Sequence, residues 1–197
     1  MIKRLFDLMI TLPMLLLVSP FFLIIALLIK IGSNGPVFYK QTRVGLNNND
    51  FKIFKFRTMH INADKAGLLT VGGRDPRVTS IGFFLRKYKL DELPQLLNVL
   101  FGSMSLVGPR PEVRKYVDLY NSEQQKVLTV KPGITDYASI EYSEENDLLA
   151  KSNDPEKTYI EEIMPAKLLL NQKYIAEKSI ITDIKIIWMT ATKIISH

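Results

Sequence analysis

The 197-residue chain contains no cysteine, which excludes disulfides and thiolate metal sites and fits a reducing compartment. Its two histidines, His60 and His197, are too few to build a histidine zinc site. Acid is scarce at the start: residues 1–60 hold Asp7 and Asp50 against Lys3, Arg4, Lys30, Lys40, Arg43, Lys52, Lys55 and Arg57. That excess of six equals the net charge of the whole chain, so the remainder is balanced. A basic N-terminal region suits an anionic membrane surface or a phosphate-rich substrate. It could also serve nucleic acid, but no nucleic-acid motif accompanies it, and that partner is set aside. A glycine-rich dinucleotide fingerprint and internal repeats are missing too. Only one long apolar run exists, which argues against a multi-span membrane enzyme.

That run extends from about Leu8 to Ile29. About 20 helical residues at roughly 1.5 Å each cover a bilayer core of roughly 30 Å. A cleavable signal peptide fits poorly, because the run is long and is followed by basic residues rather than a small-residue cleavage site. Pro13 and Ser19-Pro20 interrupt it, and a bend is expected at Pro20, which lacks an amide donor. Basic residues flank both ends, which places both in the cytoplasm. Two shapes remain open from the residues alone: a kinked spanning helix, and a helical hairpin that enters the membrane and returns.

Past Gly32, Gly35 and Pro36 the reading is mainly α with a small β-hairpin (α+β), divided into a membrane helix, 1–31, and a cytoplasmic domain, 32–197. Residues 37–44 and 51–56 read as strands around the turn Asn47-Asn48-Asn49-Asp50, with Ile53, Lys55 and Arg57 on one side. Residues 61–80, with Gly67, Gly72, Gly73 and Pro76, read as a loop with a short helix. A helix is expected over 93–101, stopped by Gly102, and another from 112 to about 127. Residues 136–162 carry nine acids against Lys151 and Lys157 and read as an elaborated loop with a short helix. The last stretch is amphipathic: Ile180, Ile184, Ile187, Trp188, Ala191 and Ile195 recur at helical spacing, to pack on the core or lie in a membrane interface.

Asp91-Glu92 precedes the 93–101 helix, where Asp is a good N-cap and Glu suits a first turn. The surroundings point to more than capping. Arg86, Lys87 and Lys89 lie just upstream, and Pro109-Arg110-Pro111 sets a guanidinium in a stiff turn suited to phosphate. Lys131-Pro132-Gly133 is a second rigid, cationic turn. Carboxylates among placed cations suit phosphoryl chemistry, in which Mg²⁺ bridges carboxylate and phosphate oxygens. A non-catalytic, basic, membrane-anchored adaptor would explain the anchor and the charge, but not this cluster.

Five motifs in order carry a resemblance: Ser19-Pro20 in an apolar run, Lys55-Phe56-Arg57-Thr58-Met59, Leu90-Asp91-Glu92-Leu93-Pro94-Gln95-Leu96, Gly108-Pro109-Arg110-Pro111 and Lys131-Pro132-Gly133-Ile134-Thr135. From about residue 2 to 135 the chain resembles the bacterial sugar transferases known as small monotopic phosphoglycosyl transferases. The resemblance implies a re-entrant helix broken at Ser19-Pro20, inserted in the inner membrane from the cytoplasmic side. It implies a UDP-sugar donor, a polyprenol phosphate acceptor (undecaprenyl phosphate by analogy), release of UMP and a Mg²⁺ requirement. Asp91 is then the nucleophile, the metal contact and the carrier of a covalent phosphosugar, and Glu92 its catalytic partner. Arg110 with Pro111 would grip phosphate; Arg86 and Arg57 are weaker substrate-binding candidates, and Lys55 weaker still. The chain departs from the pattern after Thr135, where Asp136-Tyr137 stands in place of Gly and an aromatic. The identity of the sugar, the polyprenol length and the oligomeric state, a homodimer included, are not legible in the sequence.

Overall fold

The computed structural model describes residues 1–63, 67, 69–72 and 75–195. Gly73, part of the 61–80 segment, the side chain of Ile195 and His197 lie outside the described residues.

Helix α1 runs from Ile2 to Gly32 with Pro13 and Pro20 inside it. The helical assignment runs through Ser19-Pro20, where a bend is expected. Pro20 cannot donate to the Leu16 carbonyl four residues back. The Ser19 hydroxyl donates to that carbonyl instead, at 2.9 Å. The serine thus satisfies the acceptor that its neighbour orphans. At 31 residues the helix is about 46 Å long, and it is long and apolar enough to cross a membrane.

One stripe of α1 packs on the rest of the chain over nearly its whole length. Near its start Arg4 donates to the Val99 and Leu100 carbonyls, and buried Asp7 accepts from Ser105 Oγ at 2.8 Å. Ile10, Leu15 and Val18 pack on the central core of Val99, Met104, Val107 and Ile186. Phe22, Ile25 and Ile29 meet Phe56 and Leu85. The opposite stripe, with Leu5, Leu12, Leu16, Leu23 and Leu27, is exposed.

Strands β1 (Phe38–Val44) and β2 (Asp50–Phe56) form the expected antiparallel hairpin. Asn47 and Asn48 take positive φ in its turn, which asparagine tolerates. Helix α2 (Ser80–Lys87) is N-capped by Thr79, whose hydroxyl accepts from the Gly82 amide. A 3₁₀ turn over Leu90–Glu92 leads into α3 (Gln95–Phe101), closed by Gly102 at φ 88°. Pro94 occupies the N-cap of α3, so Asp91 and Glu92 lie on the preceding turn and neither caps that helix.

A second sheet was not anticipated. Strand β3 (Ser105–Val107) pairs in parallel with β4 (Gly133–Thr135). The backbones continue past the strands: Gly108 N–H donates to the Thr135 carbonyl and Gly133 N–H to that of Pro109. A Cβ on Gly108 would lie 2.4 Å from the Lys131 carbonyl oxygen, so this approach requires glycine.

The single helix expected over 112–127 is instead α4 (Arg114–Val117) and a 3₁₀ segment, Gln124–Thr129. Between them Asn121 and Gln124 exchange side-chain-to-amide hydrogen bonds of 2.9 Å, which starts a new element. The acidic region is also more helical than expected: α5 (Tyr137–Glu141), α6 (Glu145–Ala150) and α7 (Pro155–Thr158) precede a π turn, Tyr159–Ile163, and α8 (Met164–Glu177). Asp136 and Asp154 cap α5 and α7. Glu145 and Glu156 pair with Lys167 and Lys115, cations distant in sequence.

Helix α9 (Ile180–Ile195) divides its expected apolar stripe, with Ile187 packed on the central core. Ile184 and Trp188 are exposed, Trp188 by 70%, while Asp183 and Ile186 face the core.

Candidate active site

The turn Leu90–Glu92 starts from Lys89, held in the left-handed region at φ 54°, and presents its two carboxylates differently. Glu92 is saturated. Lys55 Nζ on β2 donates to its Oε1 at 2.7 Å, while Arg110 grips both oxygens, with NH1 3.0 Å from Oε2 and NH2 on Oε1. This fork is the bidentate arrangement that suits guanidinium to carboxylate or phosphate. Asp91 is buried, at 8% exposure, and no described residue donates a hydrogen bond to it.

The ionisation of the pair follows from these partners. Burial, then the charge of Glu92, raises Asp91, while Lys55, Arg86 and Lys89 pull it back down. Burial opposes ionisation of Glu92 too, but the charges and hydrogen bonds of Arg110 and Lys55 hold it well below the usual carboxylate range. Burial lowers Lys55, and Glu92 pulls it up. The Glu92 charge raises Arg110. Glu92 therefore stays ionised and pinned, whereas Asp91 is a carboxylate with free lone pairs.

The cations are fixed by elements far apart in sequence. The Arg110 amide donates to Asp136 Oδ2 at 3.0 Å, and the Ser139 amide donates to Asp136 Oδ1. The Pro111 carbonyl accepts from Arg43 NH1 at 3.0 Å, and Arg43 also pairs with Glu112. Lys55 is held by Asn98 on α3, which accepts from the Phe54 amide at 2.9 Å and donates to the Lys52 carbonyl at 2.8 Å. Arg86 donates to Thr58 and Thr70 hydroxyls.

Asp91, Glu92, Lys55, Arg110 and Arg86 therefore form one neighbourhood, with Lys55 at its centre rather than its margin. Arg57 stands apart from it. Its guanidinium donates to the Ser33 and Asn34 carbonyls and closes the C-terminal end of α1. Ser19 and Pro20 lie exposed on α1. Nothing in the sequence marks Asn98, and Asp136 stands out there only as a departure from the family pattern. The anchor of α1 was also not anticipated: Lys3 and Tyr174 meet buried Asp183 at 2.5 and 2.8 Å. Asp7 and Thr11, one turn apart at the edge of an apolar run, were the signal for that buried face.

No group of three or more potential metal-ligating side chains exists among the described residues. A Mg²⁺ ion does not need one, since it commonly takes one or two carboxylates and completes its shell with phosphate and water. Asp91, with lone pairs open, fits that role; Glu92, saturated by Lys55 and Arg110, does not.

Fold and site together describe a small helical domain, bound along a long apolar helix, that carries a buried carboxylate pair ringed by cations. The chain belongs to the bacterial sugar transferase family, whose model matches residues 1–197. It is 38% identical over 197 residues to a UDP-glucose:undecaprenyl-phosphate glucose-1-phosphate transferase of Escherichia coli (strain K12), covering 98% of this chain and 40% of that protein. It is 44% identical over 142 residues to a UDP-N-acetylgalactosamine-undecaprenyl-phosphate N-acetylgalactosaminephosphotransferase of Aeromonas hydrophila, covering 71% of this chain and 34% of that protein. An exopolysaccharide production protein of Rhizobium leguminosarum bv. phaseoli is 39% identical over 196 residues, covering 96% of this chain and 92% of that protein. The chain thus spans well under half of the first two relatives and nearly all of the third.

Proposed function

We propose that this chain transfers a phosphosugar from a UDP-sugar to undecaprenyl phosphate or a similar polyprenol phosphate, an early membrane step in glycoconjugate assembly. The observation that carries this reading is the unequal carboxylate pair: Glu92 locked between Lys55 and Arg110, Asp91 buried with open lone pairs. Family membership and relatives named for such transfers support it.

In the first step an Asp91 oxygen attacks the sugar-bearing β-phosphorus. A new O–P bond forms, the bond from that phosphorus to the bridging oxygen breaks, and its electron pair leaves with UMP. In the second, an oxygen of the lipid phosphate attacks the same phosphorus, the Asp91 O–P bond breaks, and the carboxylate is restored. Splitting the transfer uses a protein nucleophile in place of a direct meeting of two anionic phosphates. Arg110 holds Glu92 with one fork and lies where it can also receive phosphate oxygens, and Arg86 adds positive charge near Asp91. When bound through Asp91, Mg²⁺ would neutralise phosphate charge.

We place α1 in the inner membrane as a one-sided element, with the catalytic domain facing the cytoplasm. The support is that one stripe of α1 stays on the domain from Arg4 to Ile29. A helix crossing the bilayer at right angles would have to leave the domain behind. The outward Ile184 and Trp188 of α9 suit the same interface.

The test is UMP release from a panel of UDP-sugars with Mg²⁺ and undecaprenyl phosphate. Release that requires both the donor and Asp91 is expected; no release with any donor would leave the adaptor reading.

A further inference from the structure

Arg110 has a second neighbourhood. Away from Glu92 it borders a cavity of about 200 Å³ whose other wall comes from α6, α8 and the turn Tyr159–Ile163. Asn171 on α8 lines this cavity at 5% exposure, and its Oδ1 accepts no hydrogen bond. A buried amide oxygen left without a donor is destabilising, and no described residue supplies one. Across the cavity Glu145 Oε2 accepts from Lys167 Nζ at 2.6 Å, while its Oε1 has no donor among the described residues.

The chemistry of the wall selects the occupant. Three cations line the cavity, Arg43, Arg110 and Lys167, and each already serves a carboxylate, Glu112, Glu92 and Glu145. The two open acceptors beside them call for a ligand with several hydroxyl or amide donors and some acceptors; a phosphate would suit the cations but meet Glu145 and leave the Asn171 oxygen without a donor. A uracil offers one N–H. A sugar ring offers a donor for each acceptor, and acceptors for Lys167. The volume lies below the roughly 300 Å³ at which sites for drug-sized ligands begin, which fits one ring rather than a nucleoside with its phosphates. Arg110 joins the cavity to the carboxylate pair, so a ring in the cavity would have its phosphate at the reacting end.

We infer that this cavity takes the hexose ring of the donor, with Asn171 and Glu145 accepting hydrogen bonds from its ring substituents. The inference rests on the transferase reading only for the identity of the donor. The acidic segment after Thr135 then serves to choose the sugar.

The experiment is calorimetric titration of the full chain in detergent without added Mg²⁺, in an Asp91→Asn background that prevents covalent chemistry. UDP and a panel of UDP-hexoses are compared with and without Asn171→Leu or Glu145→Gln. Glu145 is only half-buried, so Glu145→Gln serves if Asn171→Leu misfolds. The preferred UDP-hexose is expected to bind at least about tenfold tighter than UDP, a gain of about 1.4 kcal/mol. Each variant should lose that gain and keep its affinity for UDP. A UDP-hexose that binds no tighter than UDP would overturn the inference. So would variants that weaken UDP and UDP-hexoses alike, which would put the nucleoside in the cavity. A sugar-dependent gain in a chain whose native form releases no UMP would retain the cavity assignment and sink the transferase reading.

Discussion

Asp91 and Glu92 are neighbours with opposite fates, and the difference lies in which cations reach them. Arg110 and Lys55 reach Glu92 and pin it; Asp91 receives charge but no hydrogen bond from a described residue. Because burial raises Asp91 in the folded state, its ionised form costs stability above the unfolded value near 3.8. Asp91→Asn should therefore abolish turnover, by at least about a thousandfold, while raising the thermal midpoint at pH 7. That gain should shrink as pH falls through the raised value at which the native aspartate takes up its proton. A variant that loses activity and stability together would indicate a structural role instead. Arg110→Lys keeps a charge but loses the fork, and we expect donor KM to rise about tenfold, about 1.4 kcal/mol of lost binding, with the fold intact by circular dichroism. Asp91, Glu92 and Arg110 were legible in sequence because prolines and clustered charge mark them. The contact of Lys55 with Glu92 was not: alternation along β2 gives its side but not the residue opposite it, which comes from a turn 37 positions later.

At the level of elements, single polar side chains join parts that periodicity treats as separate. Asn98 serves β2 as a short stretch of neighbouring strand, and thereby sets the position of Lys55. Asn98→Ala leaves the Phe54 amide and the Lys52 carbonyl without these partners, at a cost of about 1–3 kcal/mol, readable as a shift in urea midpoint. Tyr174→Phe removes a hydrogen bond to the buried carboxylate of Asp183, worth about 1.5–3 kcal/mol; the unfolding midpoint should fall while donor KM holds. The hairpin and the Gly102 stop were readable because local turn chemistry fixes them. The β3–β4 pair was not, since three-residue parallel strands 28 positions apart have no local signal.

For the molecule as a whole, the long apolar helix, the outward residues of α9 and the basic N-terminal region suggest association with a membrane. Since the chain has no cysteine, single cysteines at Ile2, Ser19 and Lys178 give a clean labelling map. One-sided insertion predicts that Ile2 and Lys178 are modified from the cytoplasmic side alone and that Ser19 is shielded from both. Labelling of Ile2 from the periplasm would mean a simple span. The covalent step can be read by mass spectrometry. The chain is incubated with Mg²⁺ and its preferred UDP-sugar, without lipid acceptor. A phosphosugar mass increase is expected on the peptide containing Asp91, lost on adding undecaprenyl phosphate and never formed by Asp91→Asn. UMP release with no adduct on that peptide would rule out Asp91 as the nucleophile.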